Sequence, residues 1–272
     1  MPLFWLRVAL VLYGVGLLYA LAAFWGGREI LTRITIPAVA LGMNFHFVAL
    51  IENAMLSGVW APASMHEMES MLGFVLMVFF FVVYVRYRTT SPGIAVFPLV
   101  FLLTLSAGSG PTSSDMSTPL FVSRQWIYIH VGLIFIGYSA LVFTFVASIL
   151  YLIQERTLKS KNPKGIWTRL PALAVIDDIG YKSLLWGFPF MTLGLISGAI
   201  VAEARVGSGY FFDAKIALSI LSWVLYMILL YTRWSAGWRG RRAAYLSTFA
   251  FATAVLAWAA NSLSRTHRFI AP

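Results

Sequence analysis

The sequence predicts an all-α fold, a polytopic membrane helix bundle of about eight transmembrane helices with both termini on the outer side. Three observations predict it. The chain of 272 residues is 60% hydrophobic and 11% charged, with a mean hydropathy of +0.82. A soluble domain of this size does not carry that much apolar surface. The apolar residues fall into runs long enough to cross a bilayer core. The basic residues gather in alternate connections, as loop charge does when it sets the orientation of a membrane protein.

The runs lie near 5–24, 35–54, 70–86, 93–108, 126–153, 182–202, 214–232 and 243–262. The first is too long for a signal-peptide core, and Ala22-Ala23-Phe24-Trp25-Gly26-Gly27-Arg28 follows it instead of a small-residue cleavage site, so it reads as a retained helix. The fourth is short and carries Pro98. The fifth begins with the interfacial pair Trp126 and Tyr128 and ends in Gln154-Glu155-Arg156. No soluble domain fits between the runs, and residues 1–272 read as a single transmembrane domain. The longest connection, near 154–181, holds Pro163, Pro171 and a basic stretch from Arg156 to Arg169.

Assigning the connections after the first, third, fifth and seventh helices to the inside orients the bundle. That side holds Arg28, Arg33, Arg86, Arg88, Arg156, Lys159, Lys161, Lys164, Arg169, Lys182, Arg233, Arg239, Arg241 and Arg242, which is 14 of the 20 basic residues. The outer side holds Arg7, Arg124, Arg205, Lys215, Arg265 and Arg268. The net charge of +10 is therefore explained by topology and contact with membrane lipid, and no nucleic-acid partner is implied. The chain has no cysteine, which excludes disulfides, thiol relays and thiolate or iron–sulfur metal sites within it. Nothing in it suggests a nucleotide site, a hydrolase triad or a metalloprotease motif.

Four histidines carry what chemistry the chain offers. His130 lies in Trp126-Ile127-Tyr128-Ile129-His130-Val131-Gly132, about one turn below the outer surface. His267 follows the last apolar run, between Thr266 and Arg268. Neutral imidazole is a good iron ligand, and two histidines on one face could hold a heme between them. The alternatives are a histidine bonded to a carbonyl for His130 and an exposed terminal side chain for His267. His46 sits mid-helix with Asn44 and Glu52 in the same run. Ionisable groups there are costly, so it reads either as a ligand or proton-relay residue or as an interhelical hydrogen bond. His66, beside Glu67 and Glu69, reads as a solvated or capping residue more than a metal site. The outer segment Val206-Gly207-Ser208-Gly209-Tyr210-Phe211-Phe212-Asp213 offers glycines for close approach and aromatic faces for a macrocycle edge. Nearby Arg124, Arg205, Lys215, Arg265 and Arg268 could pair with propionates. The alternative is an ordinary interfacial aromatic loop.

Two blocks carry a family resemblance. The first runs from Ile129-His130-Val131-Gly132-Leu133-Ile134-Phe135-Ile136-Gly137-Tyr138 to Gln154-Glu155-Arg156. The second is Ile176-Asp177-Asp178-Ile179-Gly180-Tyr181-Lys182, continuing through Gly187-Phe188-Pro189 to Gly194-Leu195-Ile196-Ser197-Gly198. Together they resemble the cytochrome c assembly family of CcsA-, CcmC- and HemX-like membrane heme-handling proteins, with a family-like core over about 35–267. The resemblance implies a non-covalent b-type heme held at the outer face, with His130 and His267 as its iron ligands. It implies Gly207, Tyr210, Phe212 and Asp213 beside the heme, and His46 as a further cofactor-binding residue. It also implies a bacterial inner membrane location and, as partners, a membrane subunit or an apocytochrome c. The implied role is a component of a heme-attachment system and not a stand-alone enzyme.

The chain departs from that family twice. Its loop keeps Gly207, Asp213 and Lys215 but has Val206, Tyr210 and Phe212 where the family has tryptophans. Tyr231 stands where CcsA-type synthases have a histidine. Two other functions therefore stay open. One is a diverged b-type heme carrier or structural subunit of a membrane redox complex. The other is a HemX-like accessory or regulatory protein of tetrapyrrole synthesis.

Overall fold

Hydrocarbon offers no hydrogen-bond partner, so a spanning chain must satisfy its backbone internally, and here it does so entirely with helices. In the computed structural model, residues 3–27, 29–58, 60, 62, 64–109, 124–160, 169–206 and 213–260 are described. They form eight helices in chain order: α1 (Leu3–Gly26), α2 (Glu29–Ser57), α3 (Met65–Tyr87), α4 (Gly93–Ser109), α5 (Arg124–Lys159), α6 (Leu173–Val206), α7 (Ala214–Ser235) and α8 (Arg241–Ala259). No strand occurs among the described residues. The all-α membrane bundle expected from the sequence is the fold observed. Six helices, α1, α2, α3, α5, α6 and α7, are long and apolar enough to cross a membrane, and α4 is apolar with 17 residues.

Several helices run further than their apolar runs predicted, α2 and α6 most of all. α2 starts at Glu29 and continues through Pro37, and α6 starts at Leu173 with Asp177, Asp178 and Lys182 in its first turns. The charges interrupt the apolar pattern without interrupting the helix. Lys182 Nζ donates to Asp178 Oδ2 at 2.8 Å, an i,i+4 pair on one helix face.

The chain divides into two compact units, one built on α1–α4 and the other on α5–α8. In the first, α1 packs on α2 and α4, and α3 packs on α4. Leu6, Ala49 and Ala107 are buried together against Trp5, and the Phe80 and Phe97 rings meet edge to face at 4.6 Å. Gly42 admits the Tyr13 ring, because a methyl group there would lie 2.8 Å from it. The end of α1 is closed by Arg169, whose guanidinium donates to the Phe24 carbonyl.

The second unit is organised by glycines. On α6, Gly180, Gly187 and Gly194 recur every seven residues, and Gly198 follows one turn later. A methyl group at these positions would lie 3.2 Å from Ala147 Cβ, 2.6 Å from Ala140 Cβ, 2.7 Å from Ile134 Cδ1 and 2.6 Å from His130 Cε1 respectively. The partners descend along α5 as the glycines ascend α6, so the two helices lie antiparallel in close contact. From the α5 side, a methyl group on Gly137 would lie 2.9 Å from the Met191 backbone nitrogen. Between helices in lipid, such close approach supplies the packing that a hydrophobic drive cannot. α7 and α8 complete the core, where Leu141, Leu184, Met191, Tyr226, Leu229, Ala243 and Ala250 are buried. Trp223 Nε1 donates to Thr192 Oγ1 at 2.9 Å, tying α7 to α6, and Phe145 of α5 stacks on Phe251 of α8 at 4.2 Å.

The seam predicts opposite outcomes for two glycines of α5. Gly137→Ala drives a methyl group against backbone and is expected to cost about 1–3 kcal/mol. Gly132→Ala meets nothing within 4 Å and is expected to leave the protein as stable or slightly more so. Thermal unfolding of the two variants in detergent measures the difference.

Candidate functional site

α5 begins, α6 ends and α7 begins at one end of the second unit, which brings His130, Gly194, Ser197, Gly198, Asp213 and Lys215 to that end. His130 Nδ1 lies 2.8 Å from the Gly194 carbonyl oxygen. A carbonyl can only accept, so Nδ1 carries the proton and donates it. Nε2 then holds the lone pair, and it makes no hydrogen bond among the described residues. Ser197 Oγ, 3.5 Å from Nδ1, donates to the same Gly194 carbonyl at 2.9 Å. The imidazole lies against Gly198, in space that any side chain there would fill. It is only partly buried, while Ile129 beside it is 49% exposed.

Asp213 is the N-cap of α7. Its backbone is extended (φ −73°, ψ 126°), and Oδ1 accepts from the Lys215 backbone N–H at 3.0 Å. The Lys215 side chain is near enough for its charge to act on the His130 ring. A histidine with one nitrogen oriented by a carbonyl and the other presenting a lone pair is the arrangement by which proteins hold a metal-binding imidazole. The donor set at His130 thus fits an iron ligand. Gly207, Tyr210, Phe212 and His267 lie outside the described residues.

His46 sits in the other unit and is fully buried. Its Nε2 lies 2.9 Å from Ser70 Oγ on α3, and its Nδ1 lies 3.3 Å from the Tyr13 hydroxyl on α1. Tyr13 and Phe74 meet the ring edge to face at 5.8 Å each. Both nitrogens are engaged, and three helices converge on one side chain. His66 Nδ1 is 3.6 Å from Glu69 Oε2 one turn along α3, and no group of three metal-binding side chains occurs among the described residues. Tyr231 is 64% exposed on α7.

Two features escaped the sequence reading. One is the Gly194–Gly198 cradle, whose signal was the seven-residue glycine repeat. The other is a charged cluster at the opposite end of the unit, where Arg233 Nη2 donates to Asp177 Oδ2 at 2.8 Å and the guanidinium covers the Tyr181 ring at 4.9 Å. Its signal was the adjacent pair Asp177-Asp178 in a chain with only 10 acidic residues.

A family model described as Cytochrome C assembly protein matches residues 6–266. The chain belongs to the cytochrome c assembly protein family. Among its relatives, the cytochrome c biogenesis protein CcsA of Heterosigma akashiwo is 28% identical over 219 residues, covering 67% of this chain and 68% of the relative. CcsA of Guillardia theta is 27% identical over 277 residues, 93% of this chain and 87% of the relative. CcsA of Rippkaea orientalis is 23% identical over 303 residues, 89% of each chain. No solved structure matches. This family member is a multi-pass membrane protein.

The His46 geometry carries a prediction of its own. His46→Ala strands the Tyr13 and Ser70 hydroxyls in a packed core and removes a buried ring, at an expected cost of about 2–5 kcal/mol. His46→Gln keeps a donor and an acceptor and is expected to recover part of that loss. Melting temperatures in detergent rank the three proteins.

Proposed function

We propose that this protein is a heme-handling component of cytochrome c biogenesis. It would hold heme at the end of the second unit where His130 lies, with His130 and His267 as the residues that supply imidazoles to its iron. The observation that carries the reading is the His130 imidazole itself. Its Nδ1–H is bonded to the Gly194 carbonyl, and its Nε2 is left with a lone pair and no partner among the described residues. Family membership and the CcsA relatives supply the class of cargo. Lys215 offers a cation for a propionate, Gly207, Tyr210 and Phe212 would line the macrocycle, and Asp213 fixes the start of α7. Bound there, heme brings an iron that accepts two imidazoles and a vinyl-bearing edge for a client's thiols. This chain's residues orient the macrocycle and keep His130 in one tautomer.

In this reading His46 is not a ligand, because both of its nitrogens are committed to neighbouring helices. Its part is to hold α1, α2 and α3 in register. The basic connections face the inside of a bacterial inner membrane and the heme end faces out, with both termini on that outer side. The partner is an apocytochrome c or a membrane subunit that delivers one.

A second reading is favoured by one observation. The outer segment carries Tyr210, Phe211 and Phe212, which keep aromatic faces but lack the larger indole surface and its N–H donor. Such a loop suits a heme that stays, as in a b-type subunit of a membrane redox complex.

Absorbance spectra of the purified protein test the site. A bis-histidine spectrum is expected, lost in His130→Ala and His267→Ala. Gly198→Val displaces the ring without removing a ligand and is expected to lower heme occupancy about tenfold or more. A heme-free protein at every stage of purification overturns both readings. In a deletion strain, cytochrome c maturation is expected to fail, and normal maturation with heme still bound selects the second reading.

A further inference from the structure

We propose that the basic end of the second unit is a binding site for the phosphate headgroup of an anionic glycerophospholipid, seated in a cavity between Arg239 and the Asp177–Arg233 pair. The cavity has a volume of about 530 Å³. Tyr151 of α5, Asp177, Asp178 and Tyr181 of α6, Arg233 and Trp234 of α7, and Arg239 in the α7–α8 connection are among the residues that line it.

Charge bookkeeping selects the ligand. Asp177 is neutralised by Arg233, whose side chain is only 10% exposed, and Asp178 by Lys182. Arg239 makes no ion pair among the described residues. It therefore leaves one uncompensated positive charge on the wall. Arg233 reinforces it, because Asp177 engages Nη2 and leaves Nη1 and Nε without a hydrogen bond among the described residues. The neighbouring cations are engaged elsewhere: Arg241 pairs with Glu155 at 3.4 Å, and Arg242 lies over the Trp238 ring at 5.9 Å. One phosphate diester matches that surplus, and a basic pocket between helices at the membrane surface is suited to an anionic headgroup.

The surface beside the cavity supplies the rest of an amphiphile's site. Trp234 is 83% exposed, as an indole is where headgroups meet acyl chains. Ile220, Met227 and Trp234 recur every seven residues on α7, so they share one face, and Ile220 and Met227 are 41% and 40% exposed. That face is an apolar track leading from the headgroup cavity toward the bilayer centre. A soluble phosphate would use the cavity and not the track.

Thermal unfolding of the full chain in detergent separates these cases. Phosphatidylglycerol is expected to raise the melting temperature in a saturable way. Phosphatidylcholine and glycerol 3-phosphate at equal concentration are expected to leave it unchanged. Arg239→Gln is expected to weaken the phosphatidylglycerol effect about fivefold, the loss of roughly one surface cation's contribution. Trp234→Ala, an exposed change on α7, is expected to weaken it as well. Arg242→Gln removes the same charge outside the cavity and is expected to bind like the parent. An equal shift with phosphatidylcholine overturns the proposal, as does a full response in Arg239→Gln and Trp234→Ala. A response to glycerol 3-phosphate alone reassigns the cavity to a soluble phosphate. Equal losses in Arg239→Gln and Arg242→Gln reduce the effect to diffuse surface charge.

Discussion

The glycine seam between α5 and α6 sets the geometry of the second unit. Lipid gives helices no hydrophobic reason to associate, so contact must come from close fit, and close fit needs missing side chains. Gly180, Gly187 and Gly194 remove them at every second turn of α6, and Gly137 removes one from the α5 side where Met191 presents backbone. The last step of the seam is His130 against Gly198. The imidazole reaches the Gly194 carbonyl because the two helices are already this close. Its tautomer and orientation are consequences of packing several turns below, which is why a substitution far from the histidine can move it.

The polar groups inside the bundle follow from the same shortage of water. Thr104, Thr144 and Ser148 bond a carbonyl one turn back on their own helix, which hides a hydroxyl without asking anything of a neighbour. Groups that cannot be satisfied locally become ties between elements. His46 ties three helices through both nitrogens. Arg233 ties α7 to α6 through Asp177 and the face of Tyr181. His130 is intermediate: one nitrogen is a tie and the other is not. This difference between the two histidines lies in their partners, since both sit in apolar helices.

That contrast defines what could be read from the chain. Apolar runs gave the eight helices because length and hydropathy are local properties. The start of α6 was missed by nine residues because Asp177, Asp178 and Lys182 look like a connection until the i,i+4 pair between Asp178 and Lys182 is known. His130 stood out as a candidate from its place below an interfacial Trp and Tyr. Its bond to Gly194 did not, because it depends on the separation of two helices 64 residues apart in sequence. The glycine repeat was in plain view, yet a period of seven says only that one face of a helix is bare, and the structure supplies what covers it. For His46 the sequence left a ligand and an interhelical bond as equals. The positions of Tyr13 and Ser70, on two other helices, give it partners no local pattern could have named.

In the proposed heme site, the ligand and the platform have separate physical origins. His130 is held by a helix seam in which five glycines and their partners must fit together, so changes there are costly and coupled to the stability of the whole unit. In the segment after α6, Tyr210, Phe211 and Phe212 would offer that site ring faces and not an iron ligand. A family member can exchange tryptophan for Tyr210 and Phe212 in that segment while the seam still presents the same imidazole. Asp213 caps α7 through its side chain. The exchange removes indole N–H donors and keeps aromatic faces, and it leaves the His130–Gly194 bond untouched. In that reading, the iron ligand and the contact with the macrocycle therefore rest on separate parts of the chain.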